Sequence, residues 1–285
     1  MPQILEQIEL ASRTTYRAGG TARYFAETHS RADLLEALAF AKEKNLPFFI
    51  LGWGSNVLFA DGEYPGLVIS NLWGTVDWNG TLGRADSGAI LPMLVADTAK
   101  YGFAGLENLA GIPGTVGGAV RGNAGTPEGT FGDRVTSVEV WADGKIRKIT
   151  KSKCKFGYRT SRFKKNQEVI LSVEFALEKT SADLAKIIQS TLSRRLQKQP
   201  TGFSCGSFFQ NPENDSAGRL IESCGLKNKK IGGAVVSDKH ANWILNDGTA
   251  TASDILALGR LVRDEVLKQT GIELLPEVEI VGAKF

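Results

Sequence analysis

Residues 105–125 read GLENLAGIPGTVGGAVRGNAG. Glycine permits positive φ and close backbone approach. A segment carrying it at 111, 114, 117, 118 and 125 is a loop system with at most one short helix. Turns alone account poorly for that density, whereas a backbone wrapped around a phosphate or a flat ring system accounts for it well. The spacing is not G-x-G-x-x-G, so the Rossmann fingerprint fails. No G-x-x-x-x-G-K-[ST] occurs either, which disfavours a P-loop ATPase.

Regular structure is expected on both sides. Upstream, Leu91 to Tyr101 reads as a helix with Pro92 in its first turn. Ser30 to Lys44 reads as another, with Ser30 and Asp33 in a capping pattern and Leu34, Leu35, Leu38 and Ala41 at helical spacing. Phe48–Leu51 is a short apolar strand, and Val57–Phe59 and Leu67–Ile69 are further strands. Downstream, Val135 to Ile149 suggests a hairpin turning at Ala142-Asp143-Gly144, and Val169 to Leu177 a strand. Helices are expected over Ser181–Leu196, Ala217–Cys224 and Ser253–Gln269. Helices and strands alternate without a repeat, giving an α+β or α/β chain in several lobes, with boundaries near 70–75 and Pro200.

Composition sets the class. The 285 residues carry a net charge of only +3, with 23% charged and 42% hydrophobic residues. This excludes a disordered chain and gives no ground for a nucleic-acid or membrane partner. Cys154, Cys205 and Cys224 show no paired spacing, so neither a disulfide framework nor a zinc site is expected. No apolar run reaches the ~18 residues of a membrane span. A soluble, cytoplasmic, multidomain protein follows.

Four further segments can carry chemistry. Gly52-Trp53-Gly54-Ser55-Asn56 follows a strand, and successive amides in such a loop can form an anion-binding nest; a tight turn is the alternative. Gly206-Ser207-Phe208-Phe209-Gln210-Asn211-Pro212 places a hydroxyl after glycine, but not in the G-x-S-x-G elbow of a hydrolase. Only His29 and His240 exist to complete a triad, which argues against one. Tyr158-Arg159-Thr160-Ser161-Arg162 suits a carboxylate or phosphate, or is a solvated strand end. Glu277, on its own, reads as a surface residue.

Taken in order, GWGSNVL, GLENLAGIPGTVGGAVRGNAG, GYRTSRF, GSFFQNP, AGRLIESCGLKNKKIGGAVVSDKHANWILN and LLPEVEIVG closely resemble the UDP-N-acetylenolpyruvoylglucosamine reductase (UDP-N-acetylmuramate dehydrogenase) family. The resemblance runs from Thr15 to Gly282. It implies an α+β fold: a vanillyl-alcohol-oxidase (PCMH) type FAD-binding fold of two lobes, 1–70 (joined by 279–285) and 71–199. A C-terminal α+β substrate-binding domain, 200–278, follows. It implies non-covalent FAD held by Gly52, Trp53, Gly54, Ser55, Asn56, Val57 and Leu58, and by Gly111, Ile112, Pro113, Gly114, Thr115, Gly117, Gly118, Ala119, Asn123 and Gly125. It also implies NADPH as hydride donor and UDP-N-acetylglucosamine enolpyruvate as substrate, contacted by Tyr158, Lys198, Asn211 and Asn242, in a monomer. The short 158–164 region resembles the second structural type, which lacks a tyrosine-bearing lid. Trp243 and Leu275 depart from the family's HANF and LEPE patterns.

The residues most like the family's catalytic set are Arg159, Ser207 and Glu277. Arg159 would stabilise the enolate-like charge and Ser207 would protonate C2. Glu277 would act protonated, its carboxyl desolvated in the substrate complex. Two rivals remain: another flavin oxidoreductase of the same fold, and a non-catalytic UDP-sugar binding protein.

Overall fold

The structure is a computed structural model that describes residues 2–285. The chain forms two compact units. The first comprises Ala26–Gly52 and Val68–Arg195, with residues 2–3; the second comprises Ile4–Phe25, Trp53–Leu67 and Leu196–Phe285.

The first unit is built on a five-stranded antiparallel sheet, ordered Lys145–Thr150, Val135–Ala142, Val169–Ala176, Leu82–Asp86, Val76–Asn79. Val138, Val140, Val173, Phe175 and Ala85 are buried from this sheet together with Leu91, Leu94, Val95, Val116 and Val120. The helices Leu91–Tyr101 and Val116–Gly122 supply those last five side chains. Asp143 and Gly144 turn the first hairpin with φ of 53° and 85°. Positive φ at both central residues matches the strand twist. Helix Arg31–Glu43 starts where Ser30 accepts the Asp33 amide, and it buries Leu34, Ala37, Leu38 and Ala41. Its neighbour in sequence, Phe48–Leu51, lies at the edge of Glu63–Asn71.

The second unit has a three-stranded sheet, Lys230–Ile231, Ala234–Val236 and Ile244–Asn246. Helix Ala252–Thr270 packs Ile255, Leu258 and Val262 into one core with Phe208, Phe209, Leu220 and Val236. Thr251 and Asp254 form its capping box, and Gly271 closes it in the left-handed region. Asp61 adds a second cap, accepting the amides of Ala252 at 2.7 Å and Ser253 at 2.8 Å. Near the C-terminus Glu279–Val281 pairs in parallel with Val57–Phe59.

Two expectations shift. The helix placed over 181–196 begins at Leu184, because the Asp183 carboxylate accepts the Lys186 amide and starts it later, and it runs on to Lys198. Strands Ile4–Glu9, Thr21–Thr28, Val76–Asn79 and Leu82–Asp86 carry no marked apolar run and were not expected. No helix among the described residues is long and apolar enough to cross a membrane. No cluster of His, Cys, Asp or Glu there could hold a metal ion.

Candidate active site

In the first unit the two glycine segments meet. A Cβ on Gly52 would lie 2.7 Å from Thr115 Oγ1. Thr115 caps Val116–Gly122 by accepting the Gly118 amide at 3.3 Å. The loop is laced to the chain before it: Leu91 N donates to Gly114 O at 3.0 Å, Val116 N to Ala89 O at 2.8 Å and Gly117 N to Ser87 O at 2.8 Å. These bonds hold the backbone open-faced. At the exposed Gly118 an added Cβ would meet only Thr115 Oγ1, at 3.5 Å. Gly111, Pro113 and Gly118 are exposed, while Gly114, Thr115 and Ala119 are buried beneath them.

Asn123 has its side chain bonded within the chain. It ends the helix in the left-handed conformation and is buried. Its Oδ1 accepts the Gly132 amide at 3.0 Å and its Nδ2 donates to Gly157 O at 2.9 Å. Both ends of the amide are occupied by backbone, so Asn123 ties the glycine loop to the turn that presents Arg159.

That turn is tight. Gly157 N donates to Thr160 O at 3.0 Å and Thr160 N to Gly157 O at 3.3 Å. Between them Arg159 has φ 52°, a conformation that side-chain-bearing residues adopt at a cost. Its Nη1 donates to Gly125 O at 2.9 Å, and its guanidinium lies 5.5 Å from the ring centroid of Tyr158, itself 55% exposed. Ser161 anchors the far side by donating to Arg121 O at 2.7 Å. Sequence reading missed one neighbour: Arg195, on helix Leu184–Lys198, packs its Cδ where a Gly111 Cβ would stand, 3.0 Å away. Burial first, then the nearby Arg194 and Arg159 cations, pull the Arg195 pKa down. A paired-cation environment of this kind favours an anionic ligand. A cleft of about 640 Å³, lined by Glu107, Glu128, Asp133, Arg134 and Arg194, lies in the same unit but contains none of the expected site residues.

In the second unit, loop 53–56 has two of its carbonyls tied down. Gly54 O accepts Thr15 N at 3.0 Å, and Asn56 O accepts Glu279 N at 3.1 Å. The amides of Trp53, Gly54 and Asn56 donate to no backbone carbonyl of the described residues. Gly54 has φ 61°, and a Cβ there would lie 2.3 Å from Arg13 O. Successive unengaged amides around a left-handed residue make an anion-binding nest. The nest here, and separately the bare backbone at Gly118 in the first unit, each fit an anionic group such as a cofactor phosphate. Val57 and Leu58 are buried strand residues behind the loop.

Ser207 and Glu277 are held by one backbone ladder. Glu277 N donates to Phe208 O at 2.8 Å and Gln210 N to Leu275 O at 2.9 Å, around an antiparallel bridge between Phe209 and Pro276. Asn56 Nδ2 donates to Glu277 O at 3.2 Å, so the nest loop and the Glu277 segment are joined directly. Ser207 is half-buried, and its hydroxyl has no hydrogen-bond partner among the described residues. Phe208 and Phe209 behind it are 0% and 1% exposed and pack on Phe285. Asn211 Oδ1 accepts the Ala217 amide at 3.0 Å, at the start of helix Ala217–Ser223. Lys198 is exposed and makes no ion pair among the described residues. Asn242 is 3% exposed. It is turned toward the Ser207 loop, with both ends of its amide bonded to Phe209. Leu275 is 57% exposed.

Comparison with known proteins identifies two family models along the chain. The model of the FAD binding domain matches residues 22–150, and that of the UDP-N-acetylenolpyruvoylglucosamine reductase C-terminal domain matches 197–281. A UDP-N-acetylenolpyruvoylglucosamine reductase of Synechococcus sp. (strain WH7803) is 43% identical over 97% of this chain and 93% of its own length. That of Moorella thermoacetica is 42% identical over 98% and 94%. The crystal structure of the Thermus caldophilus reductase, 34% identical, superposes with a TM-score of 0.86 over 99% of this chain and all of that one. The fold is thus the FAD-binding fold with a C-terminal α+β domain, and the chain belongs to the UDP-N-acetylenolpyruvoylglucosamine reductase family.

Proposed function

We propose that this flavoprotein oxidoreductase reduces UDP-N-acetylglucosamine enolpyruvate to UDP-N-acetylmuramate at the expense of NADPH, a step of peptidoglycan precursor synthesis. The ladder that holds the Ser207 loop against the Glu277 segment, next to the amide nest of loop 53–56, is the observation that carries this reading. Residues 1–199 with 279–285 serve FAD, and 200–278 serve the UDP-sugar. FAD, when bound, supplies hydride chemistry between NADPH and C3 of the enol ether.

The protein residues handle charge and proton. Adding hydride at C3 leaves negative charge at C2 that spreads into the substrate carboxylate. Arg159, pre-set by its turn, offers a fixed cation with directional donors to that charge. Glu277 acts as a protonated donor, since an ionised carboxylate would repel the same charge. Ser207 Oγ gives its proton to C2, and the alkoxide is reprotonated from water. Its hydroxyl, bonded to no group among the described residues, is available for this transfer. Tyr158, Lys198 and Asn211 contact the UDP-sugar. The protein works as a cytoplasmic monomer, where NADPH and nucleotide sugars are supplied.

The test is an anaerobic visible spectrum of the holoenzyme. NADPH should bleach the flavin bands and the enolpyruvyl UDP-sugar should restore them. Ser207→Ala should bleach normally and recover ~10²–10⁴-fold more slowly. Equal loss in both halves would remove Ser207 from the proton transfer. Bleaching without recovery in the wild type would point to another flavin oxidoreductase of this fold.

A further inference from the structure

Asn242 makes an unusual set of bonds. Its Oδ1 accepts Phe209 N at 2.9 Å and its Nδ2 donates to Phe209 O at 2.8 Å. Its own carbonyl accepts Phe208 N at 2.7 Å. A carboxamide has the donor and acceptor of a peptide group, so this side chain occupies the place of a missing neighbouring strand. The Ser207 loop is therefore paired on both sides. Glu277 and Leu275 bond Phe208 and Gln210 on one side, and Asn242 bonds Phe209 and Phe208 on the other. With Gly206 at φ 77° just before it, Ser207 has a flexible residue on one side and a clamped one on the other. Phe208 and Phe209 lie in the core and resist sliding. Asn242 N in turn donates to His240 Nδ1 at 3.3 Å, which requires a neutral imidazole acceptor.

We infer that Asn242 is a positioning residue for the proton transfer: its carboxamide fixes the backbone that follows Ser207 and so aims the hydroxyl, without touching substrate. The inference rests on the role proposed for Ser207. Displacement of a reacting group by about 1 Å costs about 10²-fold in rate, so Asn242→Ala is expected to slow flavin reoxidation by the UDP-sugar by about that factor. Flavin reduction by NADPH and the KM for the UDP-sugar should stay near wild type.

Asn242→Asp gives a sharper signature. As a carboxylate it still accepts Phe209 N but sets a second acceptor against Phe209 O; protonated, it regains a donor. The reoxidation rate of this variant, divided by that of wild type at each pH, should rise as pH falls. His240, bonded to Asn242 N and with Lys227 and Glu222 around it, titrates in both proteins, so the same ratio is also taken in a His240→Gln background, where the imidazole no longer contributes.

The experiment is stopped-flow reoxidation of the pre-reduced holoenzyme for wild type, Asn242→Ala, Asn242→Asp, Ser207→Ala and the Ser207→Ala/Asn242→Ala double variant. Support requires that Asn242→Ala cost much in the wild type and little on top of Ser207→Ala, and that the Asn242→Asp ratio climb in acid. A raised KM with an unchanged saturating rate would overturn the inference in favour of ligand contact. A flat Asn242→Asp ratio, or a lowered melting temperature alone, would reduce Asn242 to a structural tie. An unaffected Ser207→Ala would instead defeat the proton-donor reading itself, while leaving the Asn242→Asp comparison interpretable as loop positioning.

Discussion

Replacing Gly54 by alanine puts the nest of loop 53–56 under a defined load. Gly54 has φ 61°, and an added Cβ would stand 2.3 Å from Arg13 O and 2.7 Å from Thr14 Cα. Both obstacles are backbone, so neither can rotate away. The left-handed conformation alone costs a residue with a Cβ about 1–2 kcal/mol. To escape the contact the loop must withdraw, which breaks the 3.0 Å bond from Thr15 N to Gly54 O; a bond of this kind is worth about 0.5–1.5 kcal/mol net. Together these give about 1.5–3.5 kcal/mol. If binding of FAD restores the native loop, the whole cost appears in its affinity, which should weaken about 10- to 300-fold. Fluorescence quenching during titration of FAD into apoprotein measures it. Gly62→Ala is the matched control, since nothing lies within 4 Å of a Cβ there, and its effect should stay below about 0.5 kcal/mol. Wild-type affinity in Gly54→Ala would refute the nest and leave the loop as an ordinary turn.

Other perturbations report on separate parts of the molecule. Asp61→Ala removes the acceptor of two amides at the start of helix Ala252–Thr270. It should destabilise the protein by about 1.5–3 kcal/mol in urea melts without altering flavin reduction. Arg159→Lys keeps the charge but loses the planar fork that bonds Gly125 O, and should slow reoxidation by about 10²-fold while FAD stays bound. Burial pushes the thiols of Cys154 and Cys205 up to about 11 and about 12; a disulfide exchange reagent at neutral pH should therefore leave both unmodified in the native state and label both after denaturation. Asp215, held at about 2 by hydrogen bonds from Arg219 and the Ser216 amide, has a folded pKa below its ordinary value. Its contribution to stability is complete above about pH 4 and is lost as pH falls through about 2. NMR titration of its carboxyl should place the midpoint there.

Local signals in the sequence reached the elements they govern. Ser30 with Asp33 located helix Arg31–Glu43, and Pro92 the start of Leu91–Tyr101. Leu82–Asp86 escaped notice because only Ala85 of its inward residues is apolar and Gly83 stands where the Phe175 ring crosses it, 2.3 Å from an added Cβ. A strand without side-chain bulk at the crossing has no alternating pattern to read. The site shows the same limit. Ser207, Arg159 and the glycine loops are visible as motifs, but the jobs of Asn123 and Asn242 are set by backbone groups distant in sequence. An asparagine bonded at both ends to main chain looks, in sequence, the same as one facing a ligand. Arg195 was equally hidden, since its significance comes from its burial and from the proximity of Arg194 and Arg159.

The bonds around Glu277 connect these parts into one mechanical statement. Its N–H donates to Phe208 O, and its carbonyl accepts Asn56 Nδ2. The main chain at Glu277 is therefore fixed from one side by the loop that carries Ser207 and from the other by the loop that forms the nest. In the role proposed for it the Glu277 carboxyl stays protonated, which needs a constant environment, because small gains in hydration favour the charged form. Fixing the backbone at both polar groups supplies that constancy. Asn56→Ala should then weaken FAD binding and also change how the rate of reoxidation depends on pH, whereas a residue that only touched the cofactor would change the first alone. Measuring both in the same variant separates a contact from a strut: an altered affinity with an unchanged pH profile would show that Glu277 is positioned by the Phe208 bond alone.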